Sequence, residues 1–247
     1  MTLRFFLAAS ALMALSGCGQ NAAGSATKVD APSAAAKTAP AGKSWVETVS
    51  KTDEGGVLMG NPDAAIKVIE YGARTCPTCA RFDTEGLPEL KSGMIAAGKV
   101  SYEFRDFPVH GALDLGPILL GHCVEPAQFF PMLDEMMRNQ PTLLANESKF
   151  TPAEQAAFAK MTPNQLAAAF SEKLGYLAFV KQRGVPEDKA RGCLADKDAI
   201  TQLAARTDKA NQQFSIGGTP TFIINGKVAD GVLDWAGLKA ALAAAGA

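Results

Sequence analysis

The chain has almost no net charge, almost no histidine and, beyond its first twenty residues, no long apolar run. Each shortage excludes something. Lysine and arginine number 24 against 25 acidic residues, a formal net charge of −1, so nothing favours nucleic acid or a general affinity for acidic lipid. No segment after residue 20 is long and apolar enough to cross a bilayer. His110 and His122 are the two histidines. They stand apart from each other and from any second ligand pair, so each reads as a surface or helix-packing residue, and neither metal nor cofactor is expected. No internal repeat is visible. What remains, 47% hydrophobic and 20% charged residues in 247, suits an ordinary globular protein with one large domain or two small ones.

The N-terminus is a targeting segment. Arg4 precedes a short apolar stretch, Phe5 to Leu15, and then Leu15-Ser16-Gly17-Cys18. This resembles a bacterial lipoprotein signal, which implies removal of residues 1–17 and acylation of Cys18. The alternative is a simple secretory signal with a chance cysteine. Gly19 in place of aspartate favours, by the same resemblance, sorting to the outer membrane. Residues 18–44 hold almost no large apolar side chain and read as a lipidated flexible tether spanning roughly 25–30 Å. The domain beyond it is expected to work outside the cytoplasm, anchored to a membrane, where disulfides persist.

Folding is expected from Trp45 onward, through residue 247. Ile66–Tyr71 reads as a central strand, and Val100, Tyr102 and Phe104 alternate with Ser101, Glu103 and Arg105 as in a half-exposed one. Helical signals run from about Leu113 to Asn211, including capping boxes at Thr151 and Thr162. Phe129, Phe130, Leu133, Met136 and Met137 recur at helical spacing, as a buried face rather than an adaptable client surface. Asn225-Gly226 predicts a hairpin between Thr221–Ile224 and Lys227–Val232, and Asp234 caps a last helix with Trp235, Leu238 and Leu242 on one face. A terminal hairpin and helix cannot form a core alone, so they must pack on the first strands. The helical block, about 111–211, is then an insertion.

Cys76-Pro77-Thr78-Cys79 follows the first strand, and Thr219-Pro220 comes 144 positions after Cys76, counted to the proline. A C-x-x-C at the mouth of a helix suits a redox dithiol. Cys76 would precede the first turn, where free N–H groups and the helix dipole favour a thiolate, making it the exposed nucleophile. Cys79 would resolve the mixed disulfide.

Glu70 to Phe82, Phe104-Arg105-Asp106-Phe107-Pro108 and Gly217 to Gly226 together resemble the DsbA family of extracytoplasmic thiol–disulfide oxidoreductases. The resemblance covers roughly residues 55 to 245. It implies an α/β thioredoxin fold, a mixed sheet flanked by helices with an inserted helical subdomain, and a cis Thr219-Pro220 bond facing the dithiol. It places Glu70 beneath the active site, where a buried carboxyl could handle the Cys79 proton; the alternative is a strand-edge glutamate facing water. Arg74 reads as a solvated loop charge; the alternative is that it adds positive potential near the thiolate. Thr78 departs from the family's commonest C-P-H-C, which predicts a weaker oxidant, by about 30 mV for each pKa unit lost. With Cys18 acylated and Cys76 bonded to Cys79, Cys123 and Cys193 are left to form a structural bridge. The function expected is disulfide donation to unfolded or partly folded cysteine-containing secreted proteins, with re-oxidation by a DsbB-like membrane partner. The alternatives are a reductase or isomerase fed by a DsbD-like donor, or a non-catalytic chaperone or metal-binding module.

Overall fold

The computed structural model describes residues 38–247. The signal at 1–17, Cys18 and most of the tether lie outside the described residues. Among the described residues no helix is long and apolar enough to cross a membrane.

Six strands form one mixed sheet: β1 (Val49–Lys51), β2 (Val57–Gly60), β3 (Ile66–Gly72), β4 (Val100–Asp106), β5 (Thr221–Ile224) and β6 (Lys227–Val228), in the order β1-β2-β4-β3-β5-β6. β3 and β4 are parallel, from Ile66 opposite Val100 to Gly72 opposite Asp106. Every other pairing is antiparallel. Parallel neighbours need a crossover, here α1 (Pro77–Glu85) and α2 (Leu87–Leu90). Seven helices separate β4 from β5: α3 (Ala112–Gly121), α4 (Phe129–Leu144), α5 (Pro152–Phe158), α6 (Pro163–Leu174), α7 (Tyr176–Lys181), α8 (Glu187–Ala195) and α9 (Lys197–Phe214). α10 (Trp235–Ala244) closes the chain. This is a thioredoxin-like fold.

One core joins the inner sheet residues Val68, Tyr102 and Phe104 to Phe82, Leu87, Leu238 and Leu242. A second fills the helical block around Leu120, Leu174, Tyr176 and Val180. α4 belongs to both: Phe129, Phe130, Leu133 and Met137 face the sheet core, while Met132, Met136 and Leu143 face the helical one. The periodic stripe is thus a buried face serving two cores. On the sheet's other side, Tyr71, Phe107, Ile223 and Ala210 of α9 form a third cluster. The capping boxes at Thr151 and Thr162 are present, and Asp234 accepts from the Gly237 N–H at 2.9 Å.

Three expectations change. β1 and β2 were not foreseen; they are short, and β2 runs Val-Leu-Met-Gly without alternation. Because β2 pairs with β4, β4 is interior rather than half-exposed. Ser101 and Glu103 are buried, and Glu103 accepts from the Thr52 hydroxyl at 2.6 Å and from Arg105 Nε at 2.8 Å. The hairpin forms at Asn225 (φ 50°) and Gly226 (φ 80°), both in the left-handed region that this turn needs. Its second strand nevertheless stops at Val228, because the chain turns away through a Val232 N–H to Ala229 carbonyl bond.

Candidate active site

β3 delivers its C-terminal end to a tight turn in which the Cys76 N–H donates to the Ala73 carbonyl at 3.1 Å. Cys76 is the N-cap of α1, with extended backbone (φ −82°, ψ 119°), and Pro77 is the first helical residue, where its missing N–H costs nothing. The sulfur therefore sits over unpaired amides. Across from it, the Thr219-Pro220 bond is cis, and the Cys76 thiol donates to the Thr219 carbonyl at 3.2 Å. Cys76 is only 6% exposed, so the sulfur expected to be exposed is sheltered in the dithiol state by this loop.

The two thiols hold their protons very differently. Cys76 is pulled down to about 5, chiefly by a hydrogen bond from the Cys79 thiol, then by Thr219 and the N–H groups of Cys79 and Thr78, which together outweigh its desolvation. Cys79 is fully buried and pushed well above the usual thiol range by that burial, by donating to Cys76 and by the nearby Glu70. The Thr219 hydroxyl is buried without a conventional acceptor, which leaves it free to turn toward a sulfur anion.

Glu70 faces the core, not water. Its Oε2 accepts from the Tyr102 hydroxyl at 2.6 Å. Burial raises its carboxyl to about 8, against the lowering effect of that hydrogen bond. A group near 8 beside a buried thiol can exchange a proton with it near neutral pH.

The loop before Cys76 is clamped by residues to which the sequence assigned no clamping role. Arg74 is 0% exposed, not a solvated charge. Its Nε donates to Asp106 Oδ1 at 2.7 Å and its Nη2 to Oδ2 at 3.2 Å. Its guanidinium lies 5.0 Å from the Phe129 ring centroid. A Cβ on Gly121 would fall 2.3 Å from Arg74 Nη1, so only glycine lets α3 approach this closely. His122 Nε2 lies 2.7 Å from Asp106 Oδ2. Gln140 of α4 donates to the carbonyls of Arg74 at 2.9 Å and Cys76 at 3.0 Å. The Thr75 hydroxyl donates to Asp114 Oδ1 at 2.6 Å and lies 2.7 Å from His110 Nδ1. The two histidines, isolated in the sequence, thus join networks flanking the dithiol. Asp106 and Thr75 were within reach of sequence reasoning, since they sit in the Phe104–Pro108 and Glu70–Phe82 runs; Gln140 had no such marker.

Cys123, just beyond α3, is joined by a disulfide to Cys193 in α8. Among the described residues no three histidine, cysteine or acidic side chains gather as a metal-binding group.

A thioredoxin family profile matches residues 52–244. A protein-disulfide isomerase from Novosphingobium aromaticivorans has a similar structure, with TM-score 0.72 and 32% identity, covering 77% of this chain and 97% of that one. Wolbachia pipientis alpha-DsbA1 shares the fold, with TM-score 0.59 and 21% identity over 76% of this chain and 88% of that one. The chain belongs to the thioredoxin family. Among relatives by sequence, a probable disulfide bond formation protein D of Bacillus cereus is 28% identical over 176 residues, 70% of this chain and 71% of that one. A putative protein-disulfide oxidoreductase of Rickettsia bellii is 27% identical over 176 residues, which are 71% of this chain but 59% of that one. The chain therefore spans under two thirds of that relative's length.

Proposed function

We propose that this protein is an extracytoplasmic thiol–disulfide oxidoreductase, lipid-anchored through Cys18, that donates the Cys76–Cys79 disulfide to secreted or envelope proteins. The observation that carries the reading is the geometry of the dithiol: Cys76 caps α1 opposite the cis Thr219-Pro220 bond, with Cys79 fully buried one turn on, an arrangement that lowers the Cys76 thiol to about 5 and raises Cys79. A low-pKa thiol is a good leaving group, and a thiolate stable in the reduced form makes the disulfide a readily reduced, oxidising one.

In the forward reaction a client thiolate attacks Cys76 Sγ, the Cys76–Cys79 bond breaks, and the electron pair leaves on Cys79, which takes a proton. Glu70, buried nearby with its carboxyl raised to about 8, is our candidate to supply it. The client's second thiolate then attacks the client sulfur of the mixed disulfide, and Cys76 departs as thiolate. Thr219 and Pro220 form the wall against which the client cysteine docks, and the groove beyond them, between Ile216–Thr221 and Val228–Leu233, gives room for flanking client residues. A membrane partner that restores the disulfide, of the DsbB kind, completes the cycle.

The test is oxidative refolding of a reduced client by the pre-oxidised protein, with Cys76→Ala as control. Disulfide formation by wild type alone is expected, and equal yields would overturn the enzymatic reading. The Novosphingobium structure's name keeps a reductive or isomerising role as the second reading. A reduction potential at or below about −250 mV, toward the thioredoxin end of the scale, would favour that role over donation. Cys18→Ala should release the protein from the membrane fraction; unchanged fractionation would remove the lipid anchor from the proposal.

A further inference from the structure

Away from the dithiol, a cavity opens on the face of the sheet that carries the cluster of Tyr71, Phe107 and Ala210. It lies between α9, the end of α3 and the turn that joins β1 to β2, and its volume is about 270 Å³. That is the small end of the range for ligand pockets, about 300–1,000 Å³. Neither cysteine of the dithiol and neither residue of the cis bond lines it. Its walls are apolar, since Phe107, Ile118, Leu119 and Leu203 are all buried side chains.

The charges around the cavity do not cancel. Lys51, Arg105, Arg206 and Lys209 face only Glu54 and Asp106, in a chain whose formal net charge is −1. Both carboxylates are already engaged. Asp106 accepts from Arg74 Nε at 2.7 Å and lies 2.7 Å from His122 Nε2. Glu54 accepts from Lys209 Nζ through both oxygens, at 2.9 and 2.8 Å, and feels Arg206 through its charge alone. Arg105 gives its Nε and Nη2 to Glu103. Lys51 and Arg206 are left over: among the described residues neither has an acidic side chain within hydrogen-bonding distance. Arg206 is nevertheless held in place. A Cβ on Gly55 would fall 2.2 Å from its Cζ, so the guanidinium rests on the β1–β2 turn where only glycine leaves room. Its Nη2 donates to Gln202 Oε1 at 3.1 Å. The Tyr71 hydroxyl accepts from Arg105 Nη1 at 3.0 Å, which leaves its own proton to donate. The groups around this apolar space therefore offer positive charge and donors, and what they lack is an anionic acceptor.

We propose that this cavity binds a small organic carboxylate with an apolar body, an aryl- or alkyl-carboxylic acid in its ionised form. The hydrocarbon lies against Leu119, Leu203 and Phe107. The carboxylate meets the Arg206 guanidinium, whose planar fork matches it, and Lys51 adds positive potential. A fully polar anion such as phosphate would leave the walls unfilled, and a neutral hydrocarbon would leave the cations unused. The site does not depend on the exchange reading, because no residue of the dithiol or the cis bond takes part.

The experiment is isothermal titration of the full chain with benzoate, phenylpropionate and octanoate. Saturable binding of one molecule per chain is expected, with phenylpropanol and inorganic phosphate much weaker. Arg206→Met should weaken the carboxylate about tenfold or more, the loss of one charged hydrogen bond, and Arg206→Lys should restore part of it. Ala199→Trp fills the cavity from the first turn of α9 and should abolish binding. Lys51 and Arg206 are exposed, so Arg206→Met and Lys51→Met decide the matter even if Ala199→Trp fails to fold. No saturable binding of any of the three acids overturns the proposal. So does equal binding of the alcohol, or an affinity that neither Arg206→Met nor Lys51→Met changes. Binding that persists in a folded Ala199→Trp chain also overturns it, because the ligand then sits elsewhere. Arg206→Met should oxidise clients as wild type does, so a failure of this site and a failure of the dithiol reading are seen separately.

Discussion

Replacing Cys79 by alanine removes the strongest support of the Cys76 thiolate, the hydrogen bond from the Cys79 thiol, and leaves Thr219 and the helix-terminal amides in place. A hydrogen bond to a charged group contributes about 1.5–3 kcal/mol, which at 1.36 kcal/mol per pKa unit is about 1–2 units. Cys76 should therefore move from about 5 in the wild-type dithiol to about 6–7 in the variant. In a Cys18→Ser background, with Cys123 and Cys193 tied in their disulfide, Cys76 is the single titrating thiol. Thiolate absorbance at 240 nm and the pH dependence of alkylation by iodoacetamide then report the same group. A value still near 5 would mean that the amides and Thr219 do all the work, and one near that of free cysteine would mean that they do none. Either result refutes the division of labour argued from the geometry.

Thr78→His should lower the Cys76 pKa by about one unit and raise the reduction potential by about 30 mV; an unchanged potential would show that the second intervening residue does not reach the thiolate. Glu70 is raised from 4.5 to about 8, so between those values the folded protein binds a proton that the unfolded chain has lost, and stability falls as pH rises. Glu70→Gln removes this slope. In urea unfolding of the disulfide form, the variant should gain on wild type by about 1.4 kcal/mol per pH unit across that window, and a pH-independent difference would count against a buried, protonated Glu70. Arg74→Met strands Asp106 and should cost about 3–5 kcal/mol, or roughly 6–20 °C in melting temperature; a loss under about 1 kcal/mol would mean that His122 alone satisfies that carboxylate.

The dithiol was legible in the chain because its chemistry is local. A strand, a turn and Cys76-Pro77 put a sulfur at a helix N-terminus whatever surrounds it, and Asn225-Gly226 fixes its turn by backbone preference alone. The periodic faces of α4 and α10 were likewise written in residue spacing. Arg74, Asp83, Gln140 and the short β1–β2 hairpin were not, since nothing beside them in the sequence distinguishes a buried charge from a solvated one. Arg74 is buried because Asp106, 32 positions away, neutralises it and because Gly121 and the Phe129 ring close over it. Asp83 is buried because α4 packs against its face of α1. Sequence determines what a residue can do through its own backbone and its near neighbours. Whether a charge meets water, a counter-charge or another carboxylate depends on segments brought together by packing, and only the tertiary structure decided that here.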